Sequence, residues 1–373
     1  MGNDARILTF RRATENDRPL SPDEANSLAR RFIDTPIEDR SVTLTEAVLG
    51  NAETLFAVCD LLRDQMNVEP ARVEPEVSML YSWLSKPARS FGLFDEHNYL
   101  LGDLALIGST VHRHLGRYED AEKWLDRADA AFRHIVNPGP MLAKLSYARL
   151  TLNYDKRRFS QVLELLPSVI LSFQAFGMKT DEAKACFLEA MTLKQTGNTV
   201  EALEKFELLR AGLRPEETSL LGSVLVEVGA QYANAGKYSE ASVVYNEALT
   251  VLGRGGNPMT IAHLKGELGE TCRSLGQLET AVEYYLAAAN DYARLDMVRQ
   301  AACERVILAE TLLALGRYRE AEWQLLAALA TIEEQKMVPE GFAAVALLRE
   351  SARQRKTDPD ALRELREHLQ AKP

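Results

Sequence analysis

The chain has 373 residues, of which 46 % are hydrophobic and 26 % charged, a composition typical of a folded globular protein and not of a disordered one. Its 44 lysines and arginines are outnumbered by 54 aspartates and glutamates, so the formal net charge is −10. This acidity argues against non-specific nucleic-acid binding, which depends on contacts to phosphates, and against docking on anionic lipid.

The first twenty residues lack the apolar core of a signal peptide and are predicted to form a mobile N-terminal tail. No apolar run approaches the roughly 18–20 residues that a membrane span needs. The four cysteines are scattered singly, which favours small buried side chains over disulfides or zinc ligands. The sequence therefore predicts a cytoplasmic protein.

A helical region is predicted over residues 21–100. Ser21 is placed to cap its first helix, with Pro22 at the first helical position and Glu24 completing a capping box. Further helices are predicted over 38–49, 52–65 and 71–86, and the last two form a plausible degenerate repeat. Residues 1–40 hold seven arginines and eight acids, so they do not form the basic surface of a DNA reader.

Six copies of one pattern follow between residues 101 and 338. Five copies have a glycine, an alanine five residues later, an aromatic residue or leucine four further on, and then usually another alanine. A weaker copy has Arg157 in the glycine position, followed by Val162 and Leu166. The copies succeed one another with a period of about 40 residues, which is the signature of a repeat architecture. The five glycines are Gly116, Gly197, Gly236, Gly276 and Gly316, and the five alanines are Ala121, Ala202, Ala241, Ala281 and Ala321.

Each position of the pattern has a physical reading. The glycine is expected to end one helix in a left-handed conformation, which costs glycine little. The alanine is expected where two helix backbones come close together. The aromatic residue, about one turn later, is expected to fill the space between neighbouring helices. Upstream glycines, such as Gly229 and Gly269, allow the first helix of each pair to pack closely on the second.

The pattern resembles the tetratricopeptide repeat, and residues 227–249 match nearly every position of its signature. The common period is 34 residues, whereas this one is about 40. The resemblance implies an all-α fold: a right-handed, TPR-like α-solenoid, that is, a superhelix of antiparallel helix pairs with helical caps at both ends. It implies six repeats over 101–338 and capping helices over 339–373, the last of which begins at Asp358 and Pro359. Long-period arrays of this kind resemble those of bacterial peptide-pheromone receptors and of eukaryotic partner-binding adaptors.

No chemistry-bearing motif accompanies the repeats. The six histidines form no metal-binding spacing, and neither a phosphate-binding loop nor a nucleophile elbow is present. The glycine-rich stretch 253–257 is interpreted as a turn in which Asn257 caps the next helix and Pro258 opens it. We therefore expect no catalytic residue, no metal and no cofactor.

In this family the concave wall of the superhelix is built from the first helix of each pair. Carrying that geometry over predicts a ligand-binding groove, with lysines among aromatic residues in its second and third repeats and carboxylates from the fourth repeat on. An alternative is that Phe187 and Met191 pack against the next repeat. The predicted groove residues are Lys144, Tyr147, Thr151, Tyr154, Lys184, Phe187, Met191, Lys194, Glu227, Asn234, His263, Glu267, Glu270 and Arg273.

The leading functional hypothesis is a non-catalytic scaffold or adaptor that binds a peptide or protein segment in this groove, and whether it forms homo-oligomers is left open. The lysine-flanked aromatics suit a segment with acidic or C-terminal carboxylate character. The alternative is a peptide-responsive regulatory switch, of the bacterial pheromone-receptor type, that controls an effector protein. A phosphatase of that receptor type is the third hypothesis, but residues 21–66 offer no candidate catalytic group.

Overall fold

The computed structural model describes residues 20–66, 69–86, 94–214, 217–253 and 256–354. Every regular element in these ranges is a helix, as the all-α prediction requires. The predicted N-terminal tail, apart from its last residue, and the capping helix from Asp358 lie outside the described residues. The chain divides into two compact units, Met1–Asn198 and Thr199–Pro373.

Unit 1 contains nine α-helices, counted within the described ranges. They are α1 (Pro22–Asp34), α2 (Val42–Leu49), α3 (Ala52–Gln65), α4 (Pro70–Leu84), α5 (Phe94–His114), α6 (Tyr118–Phe132), α7 (Gly139–Asp155), α8 (Phe159–Ala175) and α9 (Lys179–Gln195). The predicted capping box of α1 is confirmed: the Ser21 N–H donates to Glu24, and the Glu24 N–H donates to the Ser21 hydroxyl.

The helix predicted over 38–49 begins later than the sequence suggested. Residues Ile37–Asp39 form a single 3-10 turn, and α2 starts only at Val42. The cause is a cap, because the Ser41 hydroxyl accepts a hydrogen bond from the Leu44 N–H at 3.1 Å and so fixes the helix start.

A buried ion pair fastens the segment between α1 and α2 to α4. The guanidinium of Arg40 binds both carboxylate oxygens of Glu76 at 2.6 and 2.7 Å, and it lies 4.0 Å from the centre of the Phe32 ring. Both charged side chains are almost fully buried. A bidentate pair in such a site is costly to break, because removal of one partner leaves an uncompensated buried charge.

Unit 2 continues with eight helices among its described residues. They are α10 (Thr199–Gly212), α11 (Thr218–Asn234), α12 (Tyr238–Leu252), α13 (Pro258–Ser274), α14 (Leu278–Arg294), α15 (Val298–Ala314), α16 (Tyr318–Glu334) and α17 (Val338–Gln354). As predicted, the Asn257 side chain accepts from the Met259 N–H and Pro258 opens α13.

The long period of the repeats has a simple geometric origin. Helices α13 to α17 each contain 17 residues, and a turn of three separates each helix from the next. Two such helices with their two turns make one repeat, which accounts for the period of about 40 residues.

The five predicted glycines all adopt positive φ, between 71° and 86°. Arg157, which stands in the glycine position of the weak copy, adopts the same conformation with φ of 57°.

These turns close by a common hydrogen-bond pattern. At Gly236, for example, its N–H donates to the carbonyl of Ala233 and the next N–H, of Lys237, reaches back to the carbonyl of Tyr232. The two bonds form a Schellman motif, which satisfies the last carbonyls of the helix and requires the left-handed residue. The turn therefore requires a left-handed backbone conformation, which glycine adopts at little cost.

The two helices of a pair touch where a small residue faces a large ring. A Cβ atom on Gly229 would lie 2.5 Å from ring carbons of Tyr245, and one on Gly269 would lie 2.7 Å from those of Tyr285. Both tyrosine side chains are fully buried. The predicted alanine positions are buried throughout the array as well, which confirms the predicted register.

We expect Ala241→Leu to lower the free energy of unfolding by about 1–3 kcal/mol, because Ala241 is fully buried in α12 and added methyl groups have no space. Val243→Leu is the matched control, since Val243 is exposed on the same helix. Denaturant unfolding measures both variants. Equal stability of Ala241→Leu and the parent would place the repeat register elsewhere.

We also expect Arg157→Gly to raise the free energy of unfolding by about 0.5–1 kcal/mol, because a left-handed conformation disfavours residues with a Cβ atom. The reverse change at the equivalent turn, Gly236→Ala, should lower it by about 1 kcal/mol. Thermal unfolding of the two variants side by side provides the measurement. A loss of stability in Arg157→Gly would contradict this reading of the turn.

Candidate functional site

A cavity of about 770 Å³ lies in unit 1 along one face of α3, α5, α7 and α9. These are the helices that occupy, or are predicted to occupy, the first place in each pair. Apolar side chains of Phe56, Met66, Leu106, Ile107 and Met141 line part of it. A cavity of this size suits an extended segment with one or two apolar side chains.

Arg63 of α3 forms the central charged contact of this cavity. Its guanidinium binds both oxygens of Asp103, on α5, at 2.7 and 2.8 Å and also pairs with Asp60. Burial opposes the charge on Arg63, but Asp103 and Asp60 together outweigh that effect and hold the pKa of Arg63 above its ordinary value. The ion pair joins α3 to α5 on the surface that a ligand would touch.

Two of the predicted groove lysines line the same cavity. Lys144 lies on α7 and Lys184 on α9, one period apart. Lys184 has Asp181 as a distant neighbour, with 3.9 Å between Nζ and the carboxylate. Lys144 has no ion pair among the described residues. Carboxylates of Asp60, Glu96, Asp103 and Asp181 share the lining, so its charge is mixed and not uniformly positive.

The other predicted groove residues of unit 1 do not line this cavity. The Tyr147 hydroxyl donates to the carbonyl of Lys184 at 3.3 Å, its ring packs against Phe173, and burial raises its pKa to about 12. The Tyr154 ring packs edge-on against Phe159. The Thr151 hydroxyl donates to the carbonyl of Ala148. The remaining three, Phe187, Met191 and Lys194, are half-buried on α9.

The residues of α3 were not predicted to line the groove, although the repeat period indicates them. Arg63 lies one full period before Asp103, and Met66 lies one full period before Leu106. Extending the period one step before the first clear repeat therefore leads directly to the α3 residues of the cavity. The degenerate pattern of residues 52–86 hid this relation, because it lacks the glycine and alanine of the other copies.

In unit 2 two of the predicted groove carboxylates accept hydrogen bonds from buried tyrosines. The Tyr245 hydroxyl donates to Glu267 at 3.1 Å, and the Tyr285 hydroxyl donates to Glu270 at 2.8 Å. Burial, reinforced by these carboxylates, raises both tyrosine pKa values well above the ordinary range. Glu267 and Glu270, which were predicted as groove residues, thus also satisfy the hydroxyl groups of buried tyrosines.

The remaining predicted residues of unit 2 differ in their surroundings. Arg273 pairs with Glu270 at 2.8 Å and lies 3.7 Å from Glu310. His263 is exposed, with its Nε2 atom 3.9 Å from Glu267. Glu227 is half-buried in α11, and Asn234 is exposed at the end of that helix. These four residues lie on α11 and α13, the first helices of their pairs.

Glu304 of α15 is a half-buried residue that the sequence did not single out. Its side chain packs on α13 where Gly266 leaves room, since a Cβ atom there would lie 2.8 Å from Oε1. Its Oε2 atom is buried without a hydrogen-bond partner among the described residues. Burial, with a smaller contribution from Glu267, raises the pKa of Glu304 to about 7.

The described residues include no group of three or more histidine, cysteine, aspartate or glutamate side chains placed to hold a metal ion. Within the same ranges, no helix is long and apolar enough to cross a membrane. The four cysteines form no disulfide with one another.

The stacked helix pairs, with small residues facing aromatic side chains, define an all-α helical-repeat protein. A family model described as tetratricopeptide repeat matches residues 262–290, within α13 and α14. This match, together with the helix pairs described above, supports a tetratricopeptide-repeat protein whose repeats have a long period of about 40 residues.

Solved structures show the same fold. The chain is similar to a Rap protein complexed with competence and sporulation factor, with a TM-score of 0.54 and 13 % identity over 89 % of this chain and 93 % of that one. It is also similar to a STAND signal transduction ATPase with a tetratricopeptide repeat sensor from Pyrococcus horikoshii, with a TM-score of 0.55 and 18 % identity over 94 % of this chain and 53 % of that one. At these identities the likeness concerns the fold alone. No curated protein sequence matches the chain.

Glu304→Gln should stabilise the protein above pH 7 and have little effect near pH 4. Folding raises the pKa of Glu304 from 4.5 to about 7, so the folded state holds a proton that the unfolded chain has released. Stability therefore falls as the pH rises through this window, and the neutral amide should recover about 1–3 kcal/mol at higher pH. Denaturant unfolding across pH measures this, with Glu283→Gln on the exposed face of α14 as control. A gain that is independent of pH would contradict the assignment.

Proposed function

We propose that this protein is a non-catalytic interaction scaffold and that the cavity between α3, α5, α7 and α9 binds an extended peptide or protein segment. Tetratricopeptide repeats generally serve as protein-interaction scaffolds, which supports the scaffold role. The observation that supports peptide binding is the cavity itself, which combines an apolar lining with Lys144 and Lys184. Four cysteines that form no disulfide with one another suit a reducing compartment such as the cytoplasm.

The lining chemistry narrows the kind of segment. A carboxylate, either a side chain or a chain terminus, would bind Lys144 and Lys184, because Lys144 has no ion pair in the described residues and Asp181 lies 3.9 Å from Lys184. An apolar side chain beside it would pack on Leu106, Ile107 and Met141. Arg63 is less available, since Asp60 and Asp103 already hold its guanidinium.

A peptide-responsive switch is the second candidate, and one contact favours it. The ion pair between Arg63 and Asp103 joins α3 to α5 within the cavity wall, and α3 also packs on α1. A ligand carboxylate that competes for Arg63 would loosen this link and alter the N-terminal helices. The Rap structure to which this chain is similar is complexed with competence and sporulation factor, which gives a precedent for ligand binding on this fold.

Selection of a random peptide display library on the full-length protein tests the scaffold proposal. We expect enriched peptides that carry a carboxylate next to an apolar residue. Lys144→Glu combined with Lys184→Glu should weaken their binding more than tenfold, and the difference should shrink in ~1 M salt, where charges are screened within ~3 Å. Isothermal titration calorimetry at low and high salt gives the affinities.

The matched control is Lys123→Glu combined with Lys237→Glu, which makes the same change of charge outside the cavity, on α6 and in the turn before α12. Its affinity for the selected peptides should equal that of the parent. Selection of no peptide, or equal loss in both double variants, would contradict the proposed site.

Hydrogen exchange separates the scaffold from the switch. With a selected peptide bound, a switch predicts faster exchange in α1, α2 and α4, because the α3–α5 link is broken, while a scaffold predicts slower exchange confined to the cavity helices α3, α5, α7 and α9. Asp103→Asn should imitate the bound state of a switch without any peptide. Unchanged exchange in α1, α2 and α4 under both conditions would eliminate the switch.

A further inference from the structure

The charges that line the cavity of unit 1 are sorted between its two sides. On α3 and α5 the lining has three carboxylates against the single cation of Arg63, and on α7 and α9 it has two lysines against the single carboxylate of Asp181. A ligand with only one charged group therefore complements only one side of the cavity. The three carboxylates are Asp60, Glu96 and Asp103, and the two lysines are Lys144 and Lys184.

The repeat period arranges these charges in a row. Asp103, Lys144 and Lys184 follow one another at intervals of about one period, so they take equivalent places on α5, α7 and α9. Helix α7 packs on α5 and also on α9. Because the axes of packed helices lie roughly 8–10 Å apart, the two lysines lie about 10 Å and about 20 Å along the row from Asp103.

Two aromatic rings lie on the same side of the cavity as the carboxylates. The rings of Phe56 and Tyr99 pack edge-on, with 5.6 Å between their centres, and both line the cavity. Burial, followed by the charge of Asp103, raises the pKa of Tyr99, which indicates that this side chain lies close to the carboxylate. Aromatic faces and carboxylates both attract ammonium and guanidinium groups, because each presents negative charge to a cation.

The carboxylates of this side can accept a further cation. Glu96 is half-buried near the start of α5 and forms no ion pair among the described residues. Asp60 and Asp103 share the one guanidinium of Arg63, so these three side chains keep an excess of negative charge. The group formed by Phe56, Asp60, Glu96, Tyr99 and Asp103 is termed the cation subsite.

We propose that the cation subsite binds an ammonium or guanidinium group of the same segment whose carboxylate binds Lys144 and Lys184. The inference rests on the proposed function, and it adds the class of ligand, which is a segment that carries both charges. A distance of about 10–20 Å between the two ends of the row corresponds to about three to six residues of extended chain. For a C-terminal carboxylate, the cation therefore lies about three to six residues before the chain end.

Peptides selected on the full-length protein are the probes for this inference. Each is compared with a form in which norleucine replaces its lysine or arginine, and with a form whose N-terminus is acetylated. One of these two changes should weaken binding at least tenfold, and the form affected distinguishes a side-chain cation from the terminal amine. Losses below twofold in both forms, or selected peptides without a cation at this spacing, would overturn the inference and leave the proposed scaffold intact.

The variant Glu96→Gln locates the subsite. In this variant the tenfold loss should fall to at most threefold, because the charge that the cation meets is gone. Phe56→Leu, which keeps an apolar side chain and removes the ring, should also reduce the loss. Glu119→Gln, on the exposed face of α6, is the matched control and should keep the full tenfold loss.

Isothermal titration calorimetry gives these affinities, and circular dichroism checks that each variant is folded. A full tenfold loss that persists in Glu96→Gln and in Phe56→Leu would place the cation elsewhere and overturn the subsite. Selection of no peptide at all would instead contradict the proposed function, and the inference would fall with it.

Discussion

The close approach of paired helices is the constraint on which the rest of this structure depends. Gly229 and Gly269 leave no room for a side chain, because the rings of Tyr245 and Tyr285 lie where a Cβ atom would be. That contact fixes the register of each pair. It also brings the tyrosine hydroxyls to Glu267 and Glu270, which satisfy groups that burial would otherwise leave unpaired.

The register of the repeats also determines where the charged residues of the cavity lie. Because the period stays near 40 residues along the sequence, residues one period apart take equivalent places on successive first helices. Arg63 and Asp103 are one such pair, and Lys144 and Lys184 are another. In unit 1 these two pairs line one cavity, where an ion pair at one end and two weakly engaged lysines at the other lie beside an apolar lining. The binding chemistry we propose is thus a consequence of periodicity.

Much of the fold could be predicted from sequence because its determinants are local. Gly236 and its equivalents encode the turn, and Ala241 and its equivalents encode the helix contact. The cavity could be predicted only in part, since its outline depends on distances across several helices. Lys144 and Lys184 were found by spacing, whereas Phe56 and Arg63 were missed because their repeat lacks the small residues that reveal the others. The burial of Glu304 was beyond prediction, because it requires Gly266 on a neighbouring helix.

The most direct test of the account is to map where a bound peptide touches the protein. A peptide selected on the full-length chain, carrying a photoreactive apolar residue beside its carboxylate, would be cross-linked and the attachment points located by mass spectrometry. The account predicts attachment on α5 and α7, around Leu106, Ile107 and Met141. Attachment confined to second helices, such as α6 or α8, would contradict the claim that the first helices of unit 1 form the binding surface.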